Sequence, residues 1–249
     1  DVAVITSIEE DHLDIYNTQA RLFRAFADFS ERIKTGGKLL LEEKVDSSIF
    51  KREDISILKY STEEKVQCSA YNIIFSSGNM IFDVDYNNQK IRNFKLNMGG
   101  EYNVSNAVAS IFVAKLLGVS NEQIVSSVNT FLGIERRFDK HFDTDDIVFI
   151  DDYAHHPTEV EEIICAVKKM YSGRKITVVF QPHLYTRTKD FFDDFARSLS
   201  LSDRLILLNI YSAREKKIKG VSSKLLLDKC AVEDKELSDL SEVVSLLKT

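Results

Sequence analysis

Two carboxylates, a phenol and two imidazoles stand within the six residues Asp151-Asp152-Tyr153-Ala154-His155-His156. Side chains of these types can take up a proton, read a ribose hydroxyl, ligate a metal or steady an anion. Pro157 follows and fixes the backbone φ. A second polar cluster, Gln181-Pro182-His183-Leu184-Tyr185-Thr186-Arg187, holds the only other proline of the chain. An imidazole and a guanidinium near a helix start suit an anion. Adjacent histidines share neither a helical nor a strand face. That weighs against a dinuclear zinc site, which needs spaced ligands.

Five groups carry chemistry less insistently. His12 sits among Glu9, Glu10, Asp11 and Asp14, a set that could hold a hard metal or be only a solvated acidic turn. Asn103 and Asn106 are three apart at a helix start, where carboxamides could read a heterocycle edge. N-capping by Asn103 is the plainer alternative. Arg136-Arg137 could clamp a phosphate or form surface ion pairs. Asp151 and Asp152 could bind a ribose hydroxyl or a metal, or simply cap a turn. Ser212-Ala213-Arg214-Glu215 follows another strand and could form a third rim element, or a polar loop.

The positioning elements follow from hydrophobic periodicity. Val2–Ile5, a helix over Thr18–Ile33 and Lys38–Leu41 make a β-α-β unit, which requires parallel strands. Residues 55–98 alternate apolar and polar over four strands and read as an antiparallel meander. Helices follow over Asn103–Leu117 and from Ser120 to about Leu132, the latter with Ile124, Val128 and Phe131 inward. A boundary is expected near Gly133–Phe138, giving domains over 1–135 and 136–249. The second begins with a strand over Ile147–Ile150 and a helix over Thr158–Tyr171, whose Thr158 and Glu161 have capping-box spacing. Strands over Ile176–Phe180 and Leu205–Asn209, with helices over Phe191–Leu199, Ser222–Lys229 and Leu240–Leu247, complete an α/β Rossmann-like layer. The polar clusters fall at the strand ends, where ligands of open α/β sheets sit.

The 249 residues carry a formal net charge of −6, which argues against a broad nucleic-acid surface. Three scattered cysteines fit a reducing compartment, and no run approaches the roughly 18–20 apolar residues of a membrane span. Opening directly in strand pattern at Asp1, the chain reads as a piece of a longer protein. It has no Gly-x-x-x-x-Gly-Lys-Thr loop, no Gly-x-Gly-x-x-Gly and no nucleophile elbow.

Taken together, Ile5–Tyr16, Tyr102-Asn103-Val104-Ser105-Asn106-Ala107, Arg136-Arg137-Phe138, Asp151–Glu159 and Phe180–Thr188 resemble the Mur ligases of peptidoglycan synthesis. The Asp151–Glu159 and Phe180–Thr188 pair is the most specific. The resemblance implies an α/β chain: the later part of a P-loop-type central ATPase domain with an antiparallel meander, then the Rossmann-like C-terminal domain. The UDP-binding domain and the P-loop lie upstream in the family, so residues 1–249 alone are expected to be inactive.

The resemblance also implies ATP and Mg2+, with UDP-N-acetylmuramate and L-alanine joined through an acyl phosphate in the cytoplasm. It places His12 at a magnesium, and Asn103, Asn106, Arg137 and Asp152 at ATP. It places Tyr153, His155, His183 and Arg187 on the substrate side, with His155 and Arg187 catalytic. Tyr102 stands where the family commonly has histidine, and Leu184 where many members have arginine. Three alternatives stay open: a murein tripeptide ligase of the same family, a metal-dependent hydrolase at the His155-His156 turn, and a non-catalytic ligand-binding module.

Overall fold

Short apolar runs and the helices between them build the first half of the chain. The computed structural model describes residues 1–9, 16, 18–76 and 78–248. His12 and most of its acidic turn lie outside the described residues. The chain divides into two compact units, Asp1–Ile134 and Glu135–Thr249.

In the first unit, Val2–Ile5 (β1) and Lys38–Glu42 (β2) flank helix Gln19–Ser30 (α1). Thr18 caps that helix by accepting from the Arg21 amide. The two strands run parallel, Val2 opposite Lys38, as a β-α-β unit demands. Ser56–Ser61 (β3), Cys68–Ser76 (β4), Asn79–Tyr86 (β5) and Gln89–Leu96 (β6) extend the sheet in chain order. β3 is parallel to both its neighbours, so only β4, β5 and β6 form an antiparallel meander. The expected four-stranded meander is thus one strand shorter. Alternation shows which side chains face the core, but says nothing of a partner's direction.

Helices Glu101–Leu116 (α2) and Asn121–Thr130 (α3) follow. Val104, Val108, Ile111 and Phe112 of α2 join Tyr60, Phe82 and Phe94 in the core, the last two stacked at 5.2 Å. Ser120 and Gln123 form a capping box at the start of α3. The helix ends at Thr130, two residues short of the expected Leu132. Phe131 is therefore its exposed C-cap rather than part of the inner stripe with Ile124.

The second unit opens with an antiparallel ribbon, Asp139–Asp143 (β7) against Val148–Asp151 (β8). The sequence reading expected the latter to open the parallel series, and it missed β7, whose Asp-Lys-His-Phe-Asp lacks a strand pattern. The parallel sheet is Thr177–Phe180 (β9), Arg204–Leu208 (β10) and Asp234–Ser238 (β11), with β10 in the centre. Leu205 and Leu207 face one core cluster, Ile206 and Leu208 another, as a central parallel strand requires.

Around the sheet stand helices Pro157–Met170 (α4), Tyr185–Asp190 (α5), Phe192–Leu199 (α6), Ser223–Lys229 (α7) and Val243–Leu246 (α8). α5 begins within the second polar cluster, ahead of the helix expected from Phe191, and α8 is half its expected length. Val160 and Ile164 of α4 meet Phe195 and Leu199 of α6 in the core. Among the described residues no helix is long and apolar enough to cross a membrane.

Candidate functional site

The first polar corner is the turn between β8 and α4. Helix α4 starts at Pro157, the position where a missing amide hydrogen costs nothing and φ is already helical. His156 is the N-cap: its Nδ1 accepts from the Thr158 amide at 3.4 Å. Glu159 closes the box by accepting from the amides of His155 (2.8 Å) and His156 (3.1 Å). The expected Thr158–Glu161 box is therefore two residues out of register. His156 is buried, its ring edge-on to Phe191 at 4.7 Å.

His155 points elsewhere. Its Nδ1 lies 2.9 Å from the Tyr153 carbonyl oxygen and 3.4 Å from a Glu159 carboxylate oxygen. Neither oxygen carries a hydrogen, so Nδ1 must donate. Nε2 is thus the nitrogen presented to a ligand.

Asp152 is a turn-builder. One oxygen accepts from the Phe138 amide and the other from the Ala154 amide, both at 2.8 Å. Burial pushes its carboxyl above the usual aspartate range, against the two amides and Arg137, which favour the charge. Phe138, fully buried at a φ of 49°, is pinned by that bond. The pin places Arg136 and Arg137 over the exposed Tyr153 ring, 4.8 and 5.5 Å from its centre. Arg136 also reaches Asp151 at 3.8 Å. Tyr153 in turn meets His155 edge-on at 5.1 Å.

The second corner is the turn between β9 and α5. Leu184 takes a left-handed φ of 73°, and the amide–carbonyl pairs Tyr211–Pro182 (2.8 Å) and Leu184–Tyr211 (2.9 Å) hold it. His183 stacks on Tyr211 at 5.4 Å and 22°. Arg187 is buried one turn further on. The His183 pKa is lowered, first by burial, then by the charges of Arg187 and His155. His155 and Arg187 are thus near enough to His183 for their charges to act on it, and the His156–Phe191 ring contact ties the start of α4 to the end of α5.

The asparagine pair lies in the first unit and divides. Asn103 is buried and donates from Nδ2 to the Gly99 carbonyl at 2.7 Å, while Asn106 is exposed. Asn103 is not the N-cap. Gly100 is, at a φ of 89°, and a Cβ there would meet the Tyr102 ring at 2.4 Å. Sequence reasoning also passed over Glu159, Tyr211 and Phe191. Only Glu159 carried a signal, three residues after His156 across a proline. Among the described residues no group of three or more His, Cys, Asp and Glu side chains is placed to hold a metal ion. Arg136, Arg137 and Arg187 of the two corners suit anionic groups.

Residues 1–114 match the model of the Mur ligase middle domain, and residues 136–248 that of the Mur ligase, glutamate ligase domain. The chain is 43% identical over 246 residues to a UDP-N-acetylmuramate–L-alanine ligase of Parabacteroides distasonis, covering 99% of this chain and 53% of that protein. A namesake from Porphyromonas gingivalis is 39% identical over 247 residues, 99% of this chain and 54% of its own length. Among solved structures, the UDP-N-acetylmuramate-alanine ligase of Thermotoga maritima aligns over 98% of this chain and 53% of its own, with a TM-score of 0.75 and 24% identity. MurF of Acinetobacter baumannii aligns over 99% and 52%, with a TM-score of 0.77 and 21% identity. The chain spans about half the length of the curated relatives it matches.

Proposed function

The chain belongs to the Mur ligase family, and from that premise we propose that it serves an ATP-dependent ligase joining UDP-N-acetylmuramate to L-alanine in the cytoplasm. In this reading residues 1–135 are the later part of the central ATP-binding domain and residues 136–249 the C-terminal domain. Relatives at 36–43% identity that carry the alanine-ligase name support the substrate pair. The observation that carries the site is the His156–Phe191 contact at 4.7 Å, which ties together the two turns that bear His155 and His183.

The reaction would run through an acyl phosphate. A muramate carboxylate oxygen attacks the γ-phosphorus of ATP and ADP leaves. The alanine nitrogen then attacks the acyl carbon, phosphate leaves, and the nitrogen gives up a proton. No protein nucleophile is required. This chain's part is positioning and charge neutralisation. Arg187 stands, buried and cationic, where oxygen charge would build. His155 offers Nε2, oriented by the Tyr153 carbonyl and Glu159. Tyr153 and His183 line the same edge. Arg137, steadied on Tyr153, is assigned to the ATP phosphates, and Asp152, which fixes the turn that carries it, to the ribose.

Asn103 and Asn106 are assigned to the adenine. Magnesium, when bound, would neutralise phosphate charge. The described residues supply no cluster for it, and its assigned ligand His12 lies outside them. That absence of a donor set among the described residues also leaves the hydrolase reading without a site at the His155-His156 turn.

The test is phosphate release from ATP by the intact gene product that carries this sequence. Turnover requiring both UDP-N-acetylmuramate and L-alanine is expected. Equal turnover with murein tripeptide in place of alanine would overturn the substrate assignment.

A further inference from the structure

We propose that Glu215 is a positioning residue of this site: its carboxylate ties the loop after β10 to the first turn of α5 and so sets where Arg187 and His183 stand. The proposal rests on the ligase reading above. Leu184, at the N-cap of α5, makes no side-chain cap. The first amides of a helix need acceptors from somewhere. Here they find them in a residue 29 positions later: Glu215 accepts from the Thr186 amide at 3.1 Å and from the Thr186 hydroxyl at 2.5 Å. The Tyr185 amide also favours the charge of that carboxylate. Burial works against the Glu215 charge, yet these donors outweigh it and hold the carboxyl below the usual glutamate range.

The loop is built to deliver that carboxylate. Ala213 takes a φ of 47°, and the Glu215 amide donates back to the Ser212 carbonyl at 2.8 Å. In the second unit the left-handed non-glycine residues are Arg136, Phe138, Leu184 and Ala213. All four flank the two corners or this loop, and strain of that kind gathers where geometry is functionally over-determined. Tyr211, at the start of the loop, is already welded to the second corner through Pro182, Leu184 and the His183 ring. His183 is faced by Arg187, His155, Glu215 and the Tyr211 phenol, and Glu215 is the one carboxylate among them. Its charge acts on His183 against that of Arg187.

The experiment uses the intact gene product and the variants E215A, E215Q and T186V. E215A is expected to raise KM for at least one of UDP-N-acetylmuramate and L-alanine roughly tenfold to a hundredfold, the size of effect that a displaced positioning group produces. KM for ATP should stay where it was. E215Q keeps an acceptor for Thr186 and should recover most of the loss, and T186V should shift KM in the same direction by less. A second readout is the His183 imidazole, followed by NMR on histidine-labelled protein. In E215Q its titration should move to lower pH, because the one acid opposing Arg187 and His155 is gone.

Should E215A fail to fold, E215Q and T186V decide the matter. Unchanged KM for both substrates in a folded E215A or in T186V, or a His183 titration unmoved in E215Q, overturns the role of Glu215. A wild-type protein that ligates nothing counts against the ligase reading instead, and the titration alone then judges Glu215.

Discussion

Helices α2 and α4 both start at polar turns that the sequence marks as chemical, and they start in opposite ways. α2 begins at a glycine with no side-chain cap, and its buried Asn103 reaches back to the Gly99 carbonyl. α4 begins with a full box, His156 and Glu159 on either side of Pro157. At the first start the glycine backbone supplies the turn, leaving the side chains of the following residues to pack or project. At the second, side chains make the turn, so half of the polar residues there are structural. The adjacent histidines divide the work. His156 caps and packs, while His155, held from the Nδ1 side, presents its other nitrogen.

Exchanging each histidine for alanine breaks that division most sharply. H155A should lower kcat/KM of the intact protein by about a hundredfold, the low end for a lost acid–base or charge-stabilising group, with little change in Tm. H156A should do the reverse. Loss of a cap and of the Phe191 contact should cost about 1–3 kcal/mol, read by denaturant unfolding. Equal effects of the two variants on both measurements would show that the pair acts as one unit.

At the other helix start the backbone is the sensitive part. G100A places a Cβ at a φ of 89° and against the Tyr102 ring, and should destabilise by about 1–2 kcal/mol. N103A deletes a buried carboxamide and leaves the Gly99 carbonyl without that donor. It should cost about 1–2 kcal/mol. If N103A were the more damaging of the two, the start of α2 would depend on its side chain after all.

How far these features were legible depended on what kind of information they carry. Both proline corners could be read directly, because proline, histidine and arginine at strand ends are local facts. The parallel pairing of β3 could not, since its alternation is the same for either direction. β7 and β11 were missed because Asp-Lys-His-Phe-Asp and Asp-Lys-Glu-Leu-Ser are polar edge segments whose strand state comes from a neighbour. Which of the two adjacent histidines would cap was also hidden. It turns on Pro157 taking the first helical position rather than ending the loop. Asp152 was read as a ligand contact or a turn cap. Its partner Phe138, 14 residues away in sequence, is a tertiary contact that no local pattern announces.

The smallest effect separates the units by pH. In the first unit Asp54 is held well below the usual aspartate range, mainly by the Arg52 guanidinium and then by the Thr35 hydroxyl. Its folded value lies below its unfolded one. Its contribution is therefore present above the unfolded value and is lost as pH falls toward the folded one. Asp152 in the second unit runs the other way. Its folded value is raised, chiefly by burial, so the folded chain keeps the proton to higher pH than the unfolded chain. Stability from this group falls as pH rises from the unfolded value of 3.8 through the folded one. Unfolding free energies of D54N and D152N, subtracted from wild type across pH 3–7, should slope in opposite directions. D152N should also lose stability at every pH, because an amide can accept from only one of the Phe138 and Ala154 amides without turning its own donor on the other. Slopes of the same sign would mean that the two backbone amides, not burial, dominate Asp152, and that its charge is held as firmly as that of Asp54.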